Sequence, residues 1–172
     1  TREFVRSLAP VIGPHTDVPA PDVNTNSTIM GWVVDEYSKF AGSKSPAVVT
    51  GKALDAGGSQ GRTEATGLGG SYALAEILKL SGLSTDLTAA VQGFGNVGRY
   101  VAEYISSLGV KVVAISDSKC TLHDPSGFSD FVGLESYKNE KGTLAGFTSE
   151  SLPPSAIFKI SVDILVPAAL EN

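Results

Sequence analysis

The run GFGNVG sets Gly93, Gly95 and Gly98 in GxGxxG spacing, and Asp117 closes the β-branched run that follows. Residues of these types at this spacing can hold a diphosphate and a ribose. The first glycine permits a sharp turn out of a strand, the second has no Cβ to obstruct phosphates approaching the backbone, and the third lets the next helix pack close to the sheet. The phosphates would sit on the free N–H groups and positive dipole end of a helix beginning near Asn96, with Phe94 and Val97 completing the motif. The Asp117 carboxylate can accept hydrogen bonds from an adenosine ribose. Alone the motif is a weak signal, and three packing glycines beside a surface acid would be its bland reading; set between strand, helix and second strand it predicts a dinucleotide site.

The elements that must position these residues are legible around them. Ala89, Ala90 and Val91 form a short apolar run, and Val97, Val101, Tyr104, Ile105 and Leu108 then recur at helical period. Gly109 stands where a left-handed helix C-cap belongs, and Val110 to Ser116 reads as a second strand. Together they predict a βαβ crossover, right-handed by the general rule.

Upstream, Thr1 to Leu8 reads as the end of a helix with no start signal. Pro10 to Pro21 carries four prolines, which deny helix and predict a stiff extended loop ending at Asp22. Asn24 to Ser27 offers N-caps for a helix whose apolar face is Ile29, Met30, Val33, Val34, Tyr37 and Phe40, with Trp32 on its flank. Ala47 to Thr50 predicts a short buried strand, and Gly51 to Gly61 a flexible loop or hinge. Arg62 to Leu80 predicts a helix with Ala65, Leu68, Tyr72, Ala75 and Leu78 on one side. Gly67, Gly69 and Gly70 inside it each cost about 1 kcal/mol relative to Ala, which points to close approach of another backbone or a ligand. Downstream, Ser118 to Phe128 reads as a polar loop, Ser129 to Lys138 as a short helix, Gly142 to Pro154 as irregular, and Ser161 to Val166 as another strand. Both ends read as cut from something longer.

With 42% hydrophobic and 18% charged residues the composition is that of an ordinary globular protein. A net charge of −5 without a basic patch argues against nucleic acid or an anionic membrane surface as partner. Cys120 has no second cysteine to pair with, and no stretch is long and apolar enough to span a bilayer, so a cytoplasmic protein is expected. Neither a CxxC nor a His/Cys cluster suggests zinc. His15 and His123 lack partners at ligand spacing and read as solvated, and three residues of loop between Cys120 and His123 make no thiol nucleophile.

Six motifs in order, GPHTDVPAPDVNT (Gly13 to Thr25), VVTGK (Val48 to Lys52), GGSQGRTEATG (Gly57 to Gly67), VQGFGNVG (Val91 to Gly98), SDSK (Ser116 to Lys119) and DILVPAALEN (Asp163 to Asn172), resemble the glutamate dehydrogenases of the hexameric Glu/Leu/Phe/Val dehydrogenase family. The resemblance spans nearly the whole chain. It implies an α/β fold in which residues 1–61 are the C-terminal part of the substrate domain and the hinge, and residues 62–172 a Rossmann-like dinucleotide-binding domain. It implies a reversible NAD(P)-linked oxidative deamination of L-glutamate to 2-oxoglutarate and ammonia, with Asp22 of the PAPD motif as the acid/base group across a cleft from the cofactor. Hydride leaves Cα of the amino acid, water attacks the resulting imine, and protons must be shuttled, which is work for a carboxylate on a stiff loop; a carboxylate at this place could also simply cap the helix after it.

By the same resemblance Arg62 and Thr66 meet the nicotinamide carboxamide, which their shared helix face would permit, and Asn96 and Asn172 lie near the nicotinamide half of the cofactor. The family's catalytic lysine motif would precede Thr1, and Lys52 is not its replacement. NAD or NADP is expected, with NAD favoured because the Asp117 carboxylate repels a 2′-phosphate, although Ser118 and Lys119 stand close enough to offset that charge. A homo-hexamer is implied for the intact family and a lower-order species for this segment. A non-catalytic dinucleotide-binding module is the rival expectation.

Overall fold

The computed structural model describes residues 1–83 and 86–170. The chain parts into two units, Thr1–Arg62 and Thr63–Asn172.

In the second unit, two apolar runs form parallel neighbours at the centre of a four-stranded sheet. They are β1 (Thr88–Gln92) and β2 (Lys111–Ser116), joined by α4 (Asn96–Ser107); with β3 (Thr121–His123) and β4 (Ile164–Pro167) the full order is β3-β2-β1-β4. Being covered on both faces, these strands carry Ala and Val continuously instead of alternating with polar residues. Ala89, Val91, Val112 and Ile115 pack with Val101, Ala102 and Ile105 of α4. Ala90 and Ala114 share a smaller cluster with Ile157, in a 3₁₀ turn at Pro154–Lys159. Strand β4 (Ile164–Pro167) pairs parallel with β1 on the side away from β2. The connections therefore diverge to opposite sides of β1, and open α/β sheets bind ligands at the carboxyl ends of the strands where this happens.

Several expectations are corrected here. The segment read as a polar loop contains β3 (Thr121–His123), antiparallel to Ala114–Ser116; three residues are too few to show an alternating pattern. Helix α5 runs Phe131–Lys141, not from Ser129 to Lys138, because the Asp130 side chain caps it by accepting from Gly133 N and left-handed Gly142 ends it. Helix α3 spans Ala65–Ser81, with Gly67, Ser71 and Leu78 as its buried residues, while Tyr72 stays 64% exposed. The seam is small because α4 lies close: a Cβ on Gly67 would stand 2.6 Å from Tyr100 Cβ and 2.7 Å from Val101 N. That accounts for Gly67 but not for Gly69, whose Cβ would meet nothing within 4 Å.

In the first unit, α1 (Arg2–Leu8) packs on α2 (Ser27–Ala41) through Val5, Ala9, Met30, Val33 and Tyr37, together with buried Val48 and Val49. Phe40, expected on the inner face, is exposed, and the charged Glu36 is buried instead. Its carboxylate accepts from Arg6 Nε (2.7 Å), Arg2 Nη1 (3.0 Å) and Lys39 Nζ (3.1 Å), so a buried charge is matched by three donors. The strand expected at Ala47 to Thr50 is a 3₁₀ turn, Pro46–Val48. Pro46 fixes the first φ, and no ladder strand of this unit among the described residues is there to pair with it.

Candidate functional site

The three motif glycines differ in what requires them. Gly93 has φ +86°, and a Cβ on it would stand 2.8 Å from the Ala168 carbonyl oxygen. The chain just past β4 is bonded there, Ala168 N donating to Gln92 O at 2.8 Å. A Cβ on Gly98 would lie 1.8 Å from Gly93 O, so only glycine lets the turn fold onto α4. Gly95 is different. Its φ of −88° and ψ of −161° suit any residue, and its Cβ would meet nothing within 4 Å. Neither strain nor packing of the chain demands a glycine there, whereas a diphosphate seated on the helix start would.

Around Gly95 the backbone is arranged to receive an anion. Arg99 N, donating to Gly95 O at 2.9 Å, makes the first bond of α4, so the N–H groups of Asn96, Val97 and Gly98 have no acceptor within the helix. The Phe94 side chain is buried in the core and anchors the turn, Val97 is half-buried, and exposed Asn96 donates its side-chain amide to Thr63 O at 2.7 Å. Arg99 is buried on the other side of α4, between Glu103 and Glu135 (2.9 Å to the latter) and against the Tyr100 ring.

Asp117, expected to accept from a ribose, is engaged within the chain. Oδ1 accepts from Lys119 N (2.7 Å) and Cys120 N (2.9 Å), and Oδ2 from the Thr143 hydroxyl (2.9 Å) and Leu144 N (2.6 Å). Burial alone would push this carboxyl up, but the Leu144, Lys119, Cys120 and Thr143 donors outweigh it and hold it below the ordinary carboxylate range. The acid thus ties the hairpin turn after β2 to the turn after α5, leaving Ser118 and Lys119 exposed. Nothing in the spacing of Thr143 and Leu144 marks them for this role. The Cys120 thiol is pushed up to about 11 by burial and by Asp117, consistent with an inert side chain. Asn172 lies outside the described residues.

In the first unit, Asp22 is exposed at the head of a tight turn. Its N–H donates to Thr25 Oγ1 at 2.6 Å, its carbonyl accepts from Thr25 N at 2.9 Å, and its Oδ1 accepts from Val23 N at 2.7 Å. The cap of α2 is Asn26, whose side chain accepts from Ile29 N at 3.0 Å, so the capping alternative for Asp22 is excluded. VVTGK braces the proline loop behind it: Thr50 N donates to Pro19 O at 3.0 Å, and left-handed Gly51 sits where any Cβ would strike Pro21, 2.3 Å away. Lys52 reaches back to the Val49 carbonyl, serving the loop. Thr50, Gly51, Lys52, Gly58, Ser59 and Arg62 line an open cleft of about 430 Å³. Arg62 itself lies in a turn, not on α3, because left-handed Gly61 interrupts the chain and the helix starts at Ala65. The single-helix face expected for Arg62 and exposed Thr66 is therefore not formed.

A glycine turn at the carboxyl end of β1, leading into α4 where the sheet connections diverge, defines the second unit as Rossmann-like, the class of fold that holds dinucleotides. The glutamate/leucine/phenylalanine/valine dehydrogenase family matches residues 57–172, and that family's dimerisation domain matches residues 1–39. The chain belongs to this family. It is similar along its whole length to the NADP-specific glutamate dehydrogenase A1 of Halobacterium salinarum (44% identical) and to the NAD-specific glutamate dehydrogenase of Staphylococcus aureus (40% identical), spanning 42% of each. Among solved structures, 98% of it superposes on 40% of the hetero-hexameric glutamate dehydrogenase of Thermus thermophilus in its leucine-bound form, with a TM-score of 0.90 at 36% identity. The Plasmodium falciparum glutamate dehydrogenase gives 0.91 at 32% identity, over 99% of this chain and 38% of that one. The chain thus spans about two-fifths of the length of these relatives.

Proposed function

We propose that the whole protein is an NAD(P)-dependent glutamate dehydrogenase, to which this chain supplies the cofactor cradle and the acid/base carboxylate. The observation that carries the reading is Gly95: an unstrained glycine facing open space at the start of α4, beside N–H groups without helical acceptors. The diphosphate of NAD or NADP fits that cradle, and the bound nicotinamide supplies the hydride acceptor. Gly93, Phe94, Gly95, Asn96, Val97 and Gly98 form the cradle, exposed Ser118 on the turn that Asp117 holds in place forms the ribose end, and Arg62, Thr66 and Asn172 take the nicotinamide side. Relatives named for NAD and for NADP are both close in sequence; an ionised Asp117 favours NAD. The substrate assignment is supported by relatives named as glutamate dehydrogenases.

Asp22 holds and moves protons between the substrate nitrogen, the attacking water and solvent while the Cα–N bond is oxidised and hydrolysed. Its turn is braced by Thr25 and its loop by Thr50, which keeps the carboxylate in place without spending it on a cap. Matching of a dimerisation domain supports an oligomer, with a homo-hexamer for the whole protein and a lower-order species for this segment. Among the described residues no helix is long and apolar enough to cross a membrane; that and the lone buried thiol support a cytoplasmic protein.

Replacing Asp22 with Asn in the full-length protein is the direct test. NADH titration should give wild-type affinity while glutamate-dependent NADH formation falls by about a thousandfold or more, as for loss of a proton-transferring group that several steps share. Retained turnover removes Asp22 from the mechanism; binding without activity in the wild-type full-length protein supports the non-catalytic module.

A further inference from the structure

We propose that Lys138 is a positioning residue for the diphosphate cradle, an inference that rests on the cofactor reading above. Lys138 lies in the last turn of α5, half-buried, and its Nζ donates to the Phe94 carbonyl at 2.7 Å, across 44 residues of sequence. Phe94 is the residue between the first two motif glycines, so the contact falls on the turn itself.

A trans peptide points its C=O and its N–H in opposite directions. Holding the Phe94 carbonyl on α5 therefore fixes the Gly95 N–H at the opposite edge of the same peptide plane, on the residue whose missing Cβ leaves open space. The peptide between Phe94 and Gly95 takes part in neither a ladder bond nor an α4 bond, and the Lys138 ammonium is the donor that holds its carbonyl. Gly93 N reaches Ser116 Oγ at 3.4 Å before it, and Arg99 N bonds Gly95 O after it. Without the ammonium, a buried-side carbonyl loses its donor and the peptide is free to rotate.

The second contribution is charge. The ion pairs of α5 and its neighbours use Glu103, Glu135 and Glu140, with Arg99 and Lys141 as partners. Among the described residues Lys138 has no carboxylate partner, so its charge is not cancelled locally and adds to the positive end of α4. A backbone carbonyl occupies one of its three donors. Lys138 thus acts through Phe94 and through its field, without contact to the reacting atoms.

The test compares Lys138→Met, Lys138→Gln and Lys138→Arg in the full-length protein, by titration with NADH and with adenosine, which carries no phosphate, alongside thermal unfolding. Lys138→Met should weaken NADH about tenfold or more while adenosine affinity stays within about twofold. Lys138→Gln, which keeps a donor for Phe94 O but no charge, should fall between, and Lys138→Arg should restore most of the affinity and the salt dependence of NADH binding. Unchanged NADH affinity in a folded Lys138→Met, equal losses for NADH and adenosine, or no recovery with Arg would each overturn the proposal. If Lys138→Met does not fold, the Gln and Arg variants decide by the same criteria. Wild-type protein that binds no NADH at all would instead sink the cofactor reading itself.

Discussion

At the scale of single residues, the glycines of GFGNVG divide into two that the fold needs and one that a ligand needs. Gly98 abuts a carbonyl oxygen and Gly93 holds a left-handed turn, whereas Gly95 is indifferent to both. Gly98→Ala should therefore destabilise the chain by about 1–3 kcal/mol or more, since backbone must move to admit the methyl. Gly95→Ala should leave the unfolding midpoint unchanged while weakening NADH at least about tenfold. Urea unfolding of both variants beside fluorescence titration in the full-length protein separates the two roles; equal destabilisation by both would remove the distinction.

At the scale of elements, α3 and α4 meet through a seam built by subtraction. Gly67 allows Tyr100 and Val101 to come within reach of its backbone, while Gly69, two residues further on, faces nothing. Gly67→Ala is expected to push the helices apart and cost about 1–3 kcal/mol. Gly69→Ala should add about 1 kcal/mol by removing backbone freedom from the unfolded chain. Denaturant midpoints of the two variants check the pair. Helix α5 has an unexpected reach: Lys138 and the turn at Thr143 and Leu144 hold both the glycine turn and Asp117, so one short helix braces both ends of the proposed cradle.

At the scale of the whole molecule, the first unit carries an electrostatic liability. Arg6, then Arg2 and Lys39, hold Glu36 down to about 2, far below the ordinary glutamate value. A lowered folded value means that the ionised form stabilises the native state. That stability is complete above the unfolded value near 4.5 and is lost as pH falls from there toward about 2. Acid unfolding followed by Trp32, the sole tryptophan and a residue of α2, should show its transition in that window. Glu36→Gln should be less stable at neutral pH and should lose less stability than the wild type through the same range, the remaining loss coming from carboxylates such as Asp35 and Asp117 that are also held low.

Much of this was legible in local sequence. The turn at Gly93, the helix from Asn96, the left-handed Gly109 at φ +94° and the strand ending at Ser116 follow from spacings of a few residues, because caps, turns and periodicity are nearest-neighbour sterics. The resemblance carried by PAPD, VVTGK and GFGNVG named the family and the candidate site. Only the tertiary structure brought Thr50 to Pro19, Lys138 to Phe94, and Thr143 and Leu144 to Asp117. It also decided that Asn26 and not Asp22 caps α2, that Gly67 is buried in the α3 seam while Tyr72 stays exposed, and that a hairpin occupies the loop after Asp117. Those outcomes depend on which distant groups compete for the same donor, acceptor or volume once the chain closes on itself, and no local pattern records that competition.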